Sequence, residues 1–426
     1  MKHFDKNLPL RLLEPCAILV VLTLPFPILL NSYLIFLFFI CWLLSGQWKV
    51  KTDSFLKNRY AFLMIGFYLI HIAGFFYSTN SADGLMDLEK KMSFLVFPIV
   101  FFSGFPFSDR FVFKVLHCFV ASCFVASLIC ILYASYQWMG GDSSYFFYHK
   151  LGQILDFHAV YFSMYIGFAL LFLVHSLLVQ GKTFSVRKKL IYALLQLFFI
   201  GMLILLSSKT MLVLVFSLLA YLGFSLYGLP GQTRLKVAFV TVLLAVLFFV
   251  AFLIPNVRSR FKEIIVDEYS QTNPLFLDDY AGYHFTGAAI RLAIWKTAFE
   301  IIKEQKAWLL GVGIGDTQDL LTAKYQAKHI YQGDELHEGF MHYNAHNQFI
   351  QFLLAVGLAG LIWFVIIMLE LVRIAKSRKD ILLLLFVILF AGFCITESVL
   401  CRQKGIIFFT FFSCLMVANS QFKKEE

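Results

Sequence analysis

Charge is what this sequence is short of. Asp, Glu, Lys and Arg make up 15% of its 426 residues, against roughly a quarter in a soluble globular domain. Charges cover a soluble surface, so their scarcity excludes an ordinary soluble domain and leaves lipid to cover much of the chain. Paired cysteines are missing as well. The eight Cys form no CxxC pair and nearly all sit in apolar runs, which excludes a disulfide framework or a cysteine zinc site and makes them small buried hydrophobes. Internal repeats and low-complexity tracts are absent too. What fills the sequence is apolar: 60% of it is hydrophobic and 51 residues are Phe. Stretches near the 20 residues that cross a bilayer recur from one end to the other.

The spacing predicts an all-α polytopic membrane protein with about 12 transmembrane helices. The spans fall near 12–30, 32–46, 60–77, 92–104, 111–138, 158–179, 190–206, 210–227, 236–255, 347–369, 380–396 and 405–420. The second and fourth are short, and the fourth carries Pro98. Residues 1–255 then hold helices one to nine, 256–346 a large loop, and 347–426 the last three helices. The start is basic (Lys2, Lys6, Arg11) and then apolar without a small-residue cleavage site, which reads as an uncleaved first helix. Alternating loops assign 20 basic residues to one side and six to the short loops of the other. By the positive-inside rule, both termini and the basic loops are cytoplasmic and the 256–346 loop faces outward. The same rule accounts for the net charge of +10 and leaves no call for nucleic acid. One pair of short spans more or fewer keeps the bias, so ten or fourteen stay open as alternatives to twelve.

The long loop is polar and mixed, with Arg291, Trp295, Ala298 and Ile302 at helical spacing near 289–305. Its tyrosines and tryptophans argue for a folded element, and loops of this length are commonly functional. Unexplained cations gather at the outer boundary: Lys209 after Ser207 and Ser208, Arg291 on the loop helix, Arg402 and Lys404 with Glu397, and Lys90 and Lys91 after Glu89. Such a set suits an anionic, lipid-linked ligand, since Arg forks match phosphate oxygens; headgroup contact and snorkelling would use the same residues. The run His337-Glu-Gly-Phe-Met-His342-Tyr-Asn-Ala-His346-Asn347 invites a zinc reading. Its first two histidines are five apart, however, and the HExxH motif needs them one helical turn apart. His346 opens a helix, whose positive end favours a neutral imidazole able to take a proton. An ordinary hydrogen-bonded interfacial histidine would sit there too. Asn347 or Asn344 is placed to cap the span. Gly311-Val-Gly313-Ile-Gly315-Asp316 lacks the dinucleotide spacing and context; it predicts a tight turn with backbone near substrate. Gly357 and Gly360 predict close helix packing.

The order of these pieces resembles the O-antigen ligase and polymerase superfamily of bacterial membrane glycosyltransferases. The resemblance is carried by Ile290-Arg291-Leu-Ala-Ile-Trp295-Lys-Thr-Ala298, by Leu310-Gly311-Val-Gly313-Ile-Gly315-Asp316, and by Ala345-His346-Asn347 running into Gly357 and Gly360. Looser similarity takes in Tyr77-Ser-Thr-Asn80, Glu89-Lys90-Lys91, His158 with Tyr161, and Glu397 to Gly405. The resemblance implies a GT-C-like bundle with a periplasmic loop capping a cavity, in a bacterial inner membrane. It implies metal-independent, inverting transfer of a glycan from undecaprenyl diphosphate to an acceptor hydroxyl, lipid A-core in a ligase, with no cofactor. His346 would be the base, and Arg291 would hold the diphosphate. Lys209, Lys90, Lys91, Arg402, Lys404, Trp295, His342 and Asn347 would bind donor or acceptor. Lys209 follows Ser208 where the family often has an Arg, so it keeps the charge without the fork. An O-antigen polymerase or a protein O-oligosaccharyltransferase would use the same chemistry. A polysaccharide or lipid transporter fits less well, since ionisable residues in mid-span are few (His71, Lys114, His117).

Overall fold

The computed structural model describes residues 8–103, 107–226, 273–283, 285–333 and 339–418. The expected span at 236–255 and the residues Glu335, His337 and Glu338 lie outside them. All the elements described are helical. The first group is α1 (Leu8–Thr23), α2 (Ile28–Leu44), α3 (Trp48–Leu56), α4 (Arg59–Phe76), α5 (Ser81–Lys91), α6 (Ser93–Phe101), α7 (Asp109–Met139), α8 (Tyr148–Gly152), α9 (Ala159–Gln180), α10 (Val186–Leu206) and α11 (Lys209–Leu226). The second is α12 (Gly287–Glu304), α13 (Thr317–Ala327), α14 (Gln348–Arg378), α15 (Ile381–Thr396) and α16 (Gln403–Ala418).

Among the described residues, α4, α7, α9, α10 and α14 are long and apolar enough to cross a membrane. α2 and α3 make a sixth if read as one span bent by 112°. α11, α15 and α16 contribute shorter apolar helices. The chain is therefore a helical membrane protein. The expected fourth span holds the nine-residue α6, shorter than a full crossing by itself; together with α5 it runs antiparallel to α4, from Gly84 beside Phe75 to Phe102 beside Tyr60, and packs on α16. The helix ends follow local capping: Asn58 accepts from Ala61 N at 2.8 Å, and Asp380 from Leu383 N at 2.9 Å. The bundle core is dense in phenylalanine, with Phe386, Phe408, Phe409 and Phe412 fully buried.

The loop builds a second, smaller core. Ile290, Ile294, Ala298 and Ile301 line one face of α12 and pack with Leu321, Tyr325 and Ile330, then onto Leu353 and Leu354 of α14. The glycines explain how that unit is fixed. Gly357 interrupts α14 at φ 64°, ψ −165°, a conformation that L side chains avoid. The break frees backbone groups for pairing with the segment after α12. Leu358 N donates to Trp308 O at 2.8 Å, and Val312 N donates to Leu354 O at 2.8 Å. Gly311, at φ 76°, lies so close to α14 that a Cβ there would sit 2.4 Å from Ala355 C. The glycine-rich turn thus clasps a broken helix, and Gly357 serves that break and not the packing of two continuous helices. Asp316 completes the clasp by accepting from Thr79 N (2.9 Å), Thr79 Oγ1 (2.8 Å) and Asn80 N (2.8 Å).

Candidate active site

Arg291 and Trp295 lie one turn apart on α12, so their side chains leave the same face. Trp295 Nε1 donates to Ala345 O at 2.9 Å, tying α12 to the segment that precedes His346. Arg291 Nη1 donates to Gly287 O at 2.8 Å and Nη2 to Glu397 Oε1 at 3.0 Å. Its Nε is buried without a hydrogen-bond partner, a spare donor of the kind that calls for an explanation.

His346 sits at the other oxygen of the same carboxylate. Its Nδ1 lies 3.1 Å from Glu397 Oε2. A carboxylate takes only donors, so in the neutral ring Nδ1 carries the hydrogen and Nε2 the lone pair. The backbone of His346 is left-handed, at φ 44°, a conformation uncommon outside glycine. It is held there by its neighbours. His346 N donates to Asn344 Oδ1 at 3.0 Å, and Ala345 N donates to Gln351 Oε1 at 3.1 Å. Asn347 caps α14 through Phe349 N at 2.9 Å and Ile350 N at 3.1 Å, and donates to Ile395 O at 3.0 Å. Tyr161 Oη donates to Ser398 O at 3.2 Å. The residues around Glu397 are thereby stitched to both α9 and the start of α14.

Glu397 itself is 5% exposed. Burial pushes its carboxyl upward, but the His346 hydrogen bond and the charges of His346 and Arg291 outweigh that and hold it below its ordinary value. A buried carboxylate shared by a guanidinium and an imidazole is a fixed negative centre that orients both.

Beside this set opens a cleft of about 850 Å³, bounded by Tyr343 and Asn344 and lined by Lys90, His149, Lys150, His158, Tyr161, Arg402 and Lys404. The Tyr343 and His346 rings are 4.8 Å apart, so the cleft adjoins the histidine. Arg402 is exposed and lies 5.9 Å from the Tyr161 ring, and neither it nor exposed Lys90 has an acidic partner among the described residues. The Lys404 ammonium is inside, donating to Asp156 O at 3.1 Å and Leu155 O at 3.4 Å. Burial first, then neighbouring His149, push His158 down to about 3, so this ring is neutral. Its Nδ1 is buried and unpartnered.

The structure therefore brings together Arg291, His346, Trp295 and Asn347, and sets Lys90, Arg402 and Lys404 around the neighbouring cleft. Lys91 is turned away: its side chain is buried against Asp87. His342 is exposed and takes no part in the Glu397 cluster. Lys209 stands at the same end of the bundle. Tyr192 near the start of α10 bonds His117, whose ring packs on Phe172 late in α9, so α10 runs back toward His158 and delivers Ser207–Lys209 there. Glu397 was not among the expected site residues. The signal for it was slight but present: it is the only acidic residue between Asp380 and Glu425, placed among cations at the end of a span.

The fold and this polar cluster define a helical membrane protein with a candidate site at one end of its bundle. Residues 192–365 match the family model described as O-Antigen ligase, which supports the O-antigen ligase superfamily for this chain. The match takes in Lys209, Arg291, Trp295, His346 and Asn347 and ends before Glu397, Arg402 and Lys404. It supports a glycosyltransferase-like function of the O-antigen ligase and polymerase kind, in lipopolysaccharide biosynthesis. No curated protein matches the chain.

Proposed function

We propose that this protein is an O-antigen ligase that moves a glycan from undecaprenyl diphosphate to a hydroxyl of lipid A-core at the outer face of a bacterial inner membrane. The observation that carries the reading is the single carboxylate of Glu397, 3.0 Å from Arg291 Nη2 and 3.1 Å from His346 Nδ1. It supports a base whose free nitrogen, Nε2, is fixed beside a phosphate-binding guanidinium.

In this reading His346 Nε2 takes the proton of the acceptor hydroxyl as the oxygen attacks the anomeric carbon. The bond from that carbon to the diphosphate oxygen breaks, and the leaving charge develops against Arg291, whose Nε is an unspent donor. Attack opposite the leaving group inverts the anomeric centre, and no metal is needed. Glu397 steadies the imidazolium once it has formed. Lys90, Arg402 and Lys404 make the adjoining cleft attractive to phosphate, and Lys209 adds charge at the same end. Trp295, through Ala345 O, and Asn347, as the α14 cap, hold the base in place.

Complementation of a strain lacking the protein tests this reading, with wild type and His346→Ala compared at equal membrane abundance. Glycan is followed on undecaprenyl diphosphate, on lipid A-core and on protein. The expected result is glycan retained on its lipid carrier with bare lipid A-core. A lipid-linked repeat that fails to lengthen would move the assignment to a polymerase, and bare protein to an O-oligosaccharyltransferase. Identical patterns in the two strains would remove His346 from the chemistry.

A further inference from the structure

The far end of the bundle carries a second feature, independent of the transfer reading. A groove of about 580 Å³ runs along the outward face of α4, with Phe62, Ile65, Gly66 and Leu69 on one wall and Trp363 of α14 on the other. Its only charged lining is Lys57 and Arg59, at one end. The wall is fixed: Trp363 Nε1 donates to Leu63 O at 2.7 Å. The indole also lies directly on Gly66, where a Cβ would sit 2.4 Å from Cζ2.

The two cations have little to neutralise them. Lys57 is exposed and has no acidic partner among the described residues. Arg59 has a 69% exposed side chain and reaches Glu370 only at 4.0 Å. That carboxylate is already gripped by Arg373 at 2.8 and 2.6 Å. From Arg59 to Leu69 the helix rises about 15 Å, which is half of a roughly 30 Å hydrocarbon core. The groove is therefore one leaflet deep, apolar along its length and cationic at its mouth.

We propose that this groove holds an acyl chain of an anionic phospholipid whose headgroup phosphate sits on Lys57 and Arg59. Basic pockets between membrane helices take such headgroups, and the Arg fork matches phosphate oxygens. A zwitterionic lipid could fill the apolar wall equally well but would gain less at the mouth, which is why the charge and not the groove alone names the occupant. The leaflet is the one opposite the His346 site; by the positive-inside reading it is cytoplasmic.

The test uses the full-length protein in lipid nanodiscs containing brominated phosphatidylglycerol or brominated phosphatidylcholine at equal mole fraction. The contribution of Trp363 is the difference in quenching between wild type and Trp363→Phe. The expected result is several-fold stronger quenching of Trp363 by the anionic lipid, with the excess lost in Lys57→Gln/Arg59→Gln while quenching by phosphatidylcholine is unchanged. Lys57→Gln alone, at an exposed position without a partner, should lose part of the excess with the fold intact. Equal quenching by the two lipids would overturn the proposal, as would an excess that survives removal of both charges.

Discussion

Glu397 divides its two oxygens between a guanidinium and an imidazole, so each of the three side chains has a separate signature. Replacing His346 by Ala should lower transfer roughly 10²–10⁴-fold, the usual worth of a positioned acid or base, and leave donor binding intact. Glu397→Gln keeps the shape but removes the charge that orients the ring. Hydrogen bonds to charged groups contribute about 1.5–3 kcal/mol, so kcat should fall roughly 10–100-fold with a smaller change in KM, measured with purified protein. The same carboxylate sets a pH dependence. Its folded pKa lies below the ordinary 4.5, so its contribution to stability is complete above 4.5 and is lost as pH falls through the lower folded value. Thermal unfolding of wild type and Glu397→Gln should therefore differ at neutral pH, and the gap should close as the pH falls below 4.5. At this scale His346 and Arg291 were legible because a histidine at a helix mouth and an arginine on a loop helix are odd enough to stand out. Glu397 was harder to read, since its partners are 106 and 51 positions away and only folding brings them together.

At the scale of elements, the decisive device is the break in α14. The sequence pattern foretold α12 and the helix after Asn347, because apolar periodicity and an Asn cap are local signals. The tight turn at Gly311–Asp316 was legible too, but the role of Gly357 was not, because a glycine that packs a helix closely and one that breaks it look alike until the backbone it faces is known. Gly357→Ala should be severely destabilising. An alanine at φ 64°, ψ −165° carries about 1–3 kcal/mol of strain, and its Cβ would lie 2.3 Å from Leu309 C, so the folded fraction in detergent should drop sharply. Asp316→Ala removes the charged acceptor shared by Thr79 and Asn80 and should cost about 1.5–3 kcal/mol. The expected result is a lowered Tm, with residual activity in the surviving protein, because Asp316 touches none of the Glu397 cluster.

For the whole molecule, the membrane character follows from the shortage of charge, and the two ends of the bundle differ in kind. One end gathers Arg291, His346, Glu397 and the basic cleft; the other carries Lys57 and Arg59. Orientation is testable with reporter cysteines scored above the native background. A membrane-impermeant thiol reagent applied to intact spheroplasts should label a cysteine in place of exposed Lys90 and spare one in place of Lys57. The most direct test of the central claim is transfer by the purified protein in a defined system, with a glycan on undecaprenyl diphosphate as donor and lipid A-core as acceptor. Wild type should form glycosylated lipid A-core with an inverted linkage as undecaprenyl diphosphate appears, and His346→Ala should bind the donor and release almost none. Turnover by His346→Ala at the wild-type rate would contradict the account.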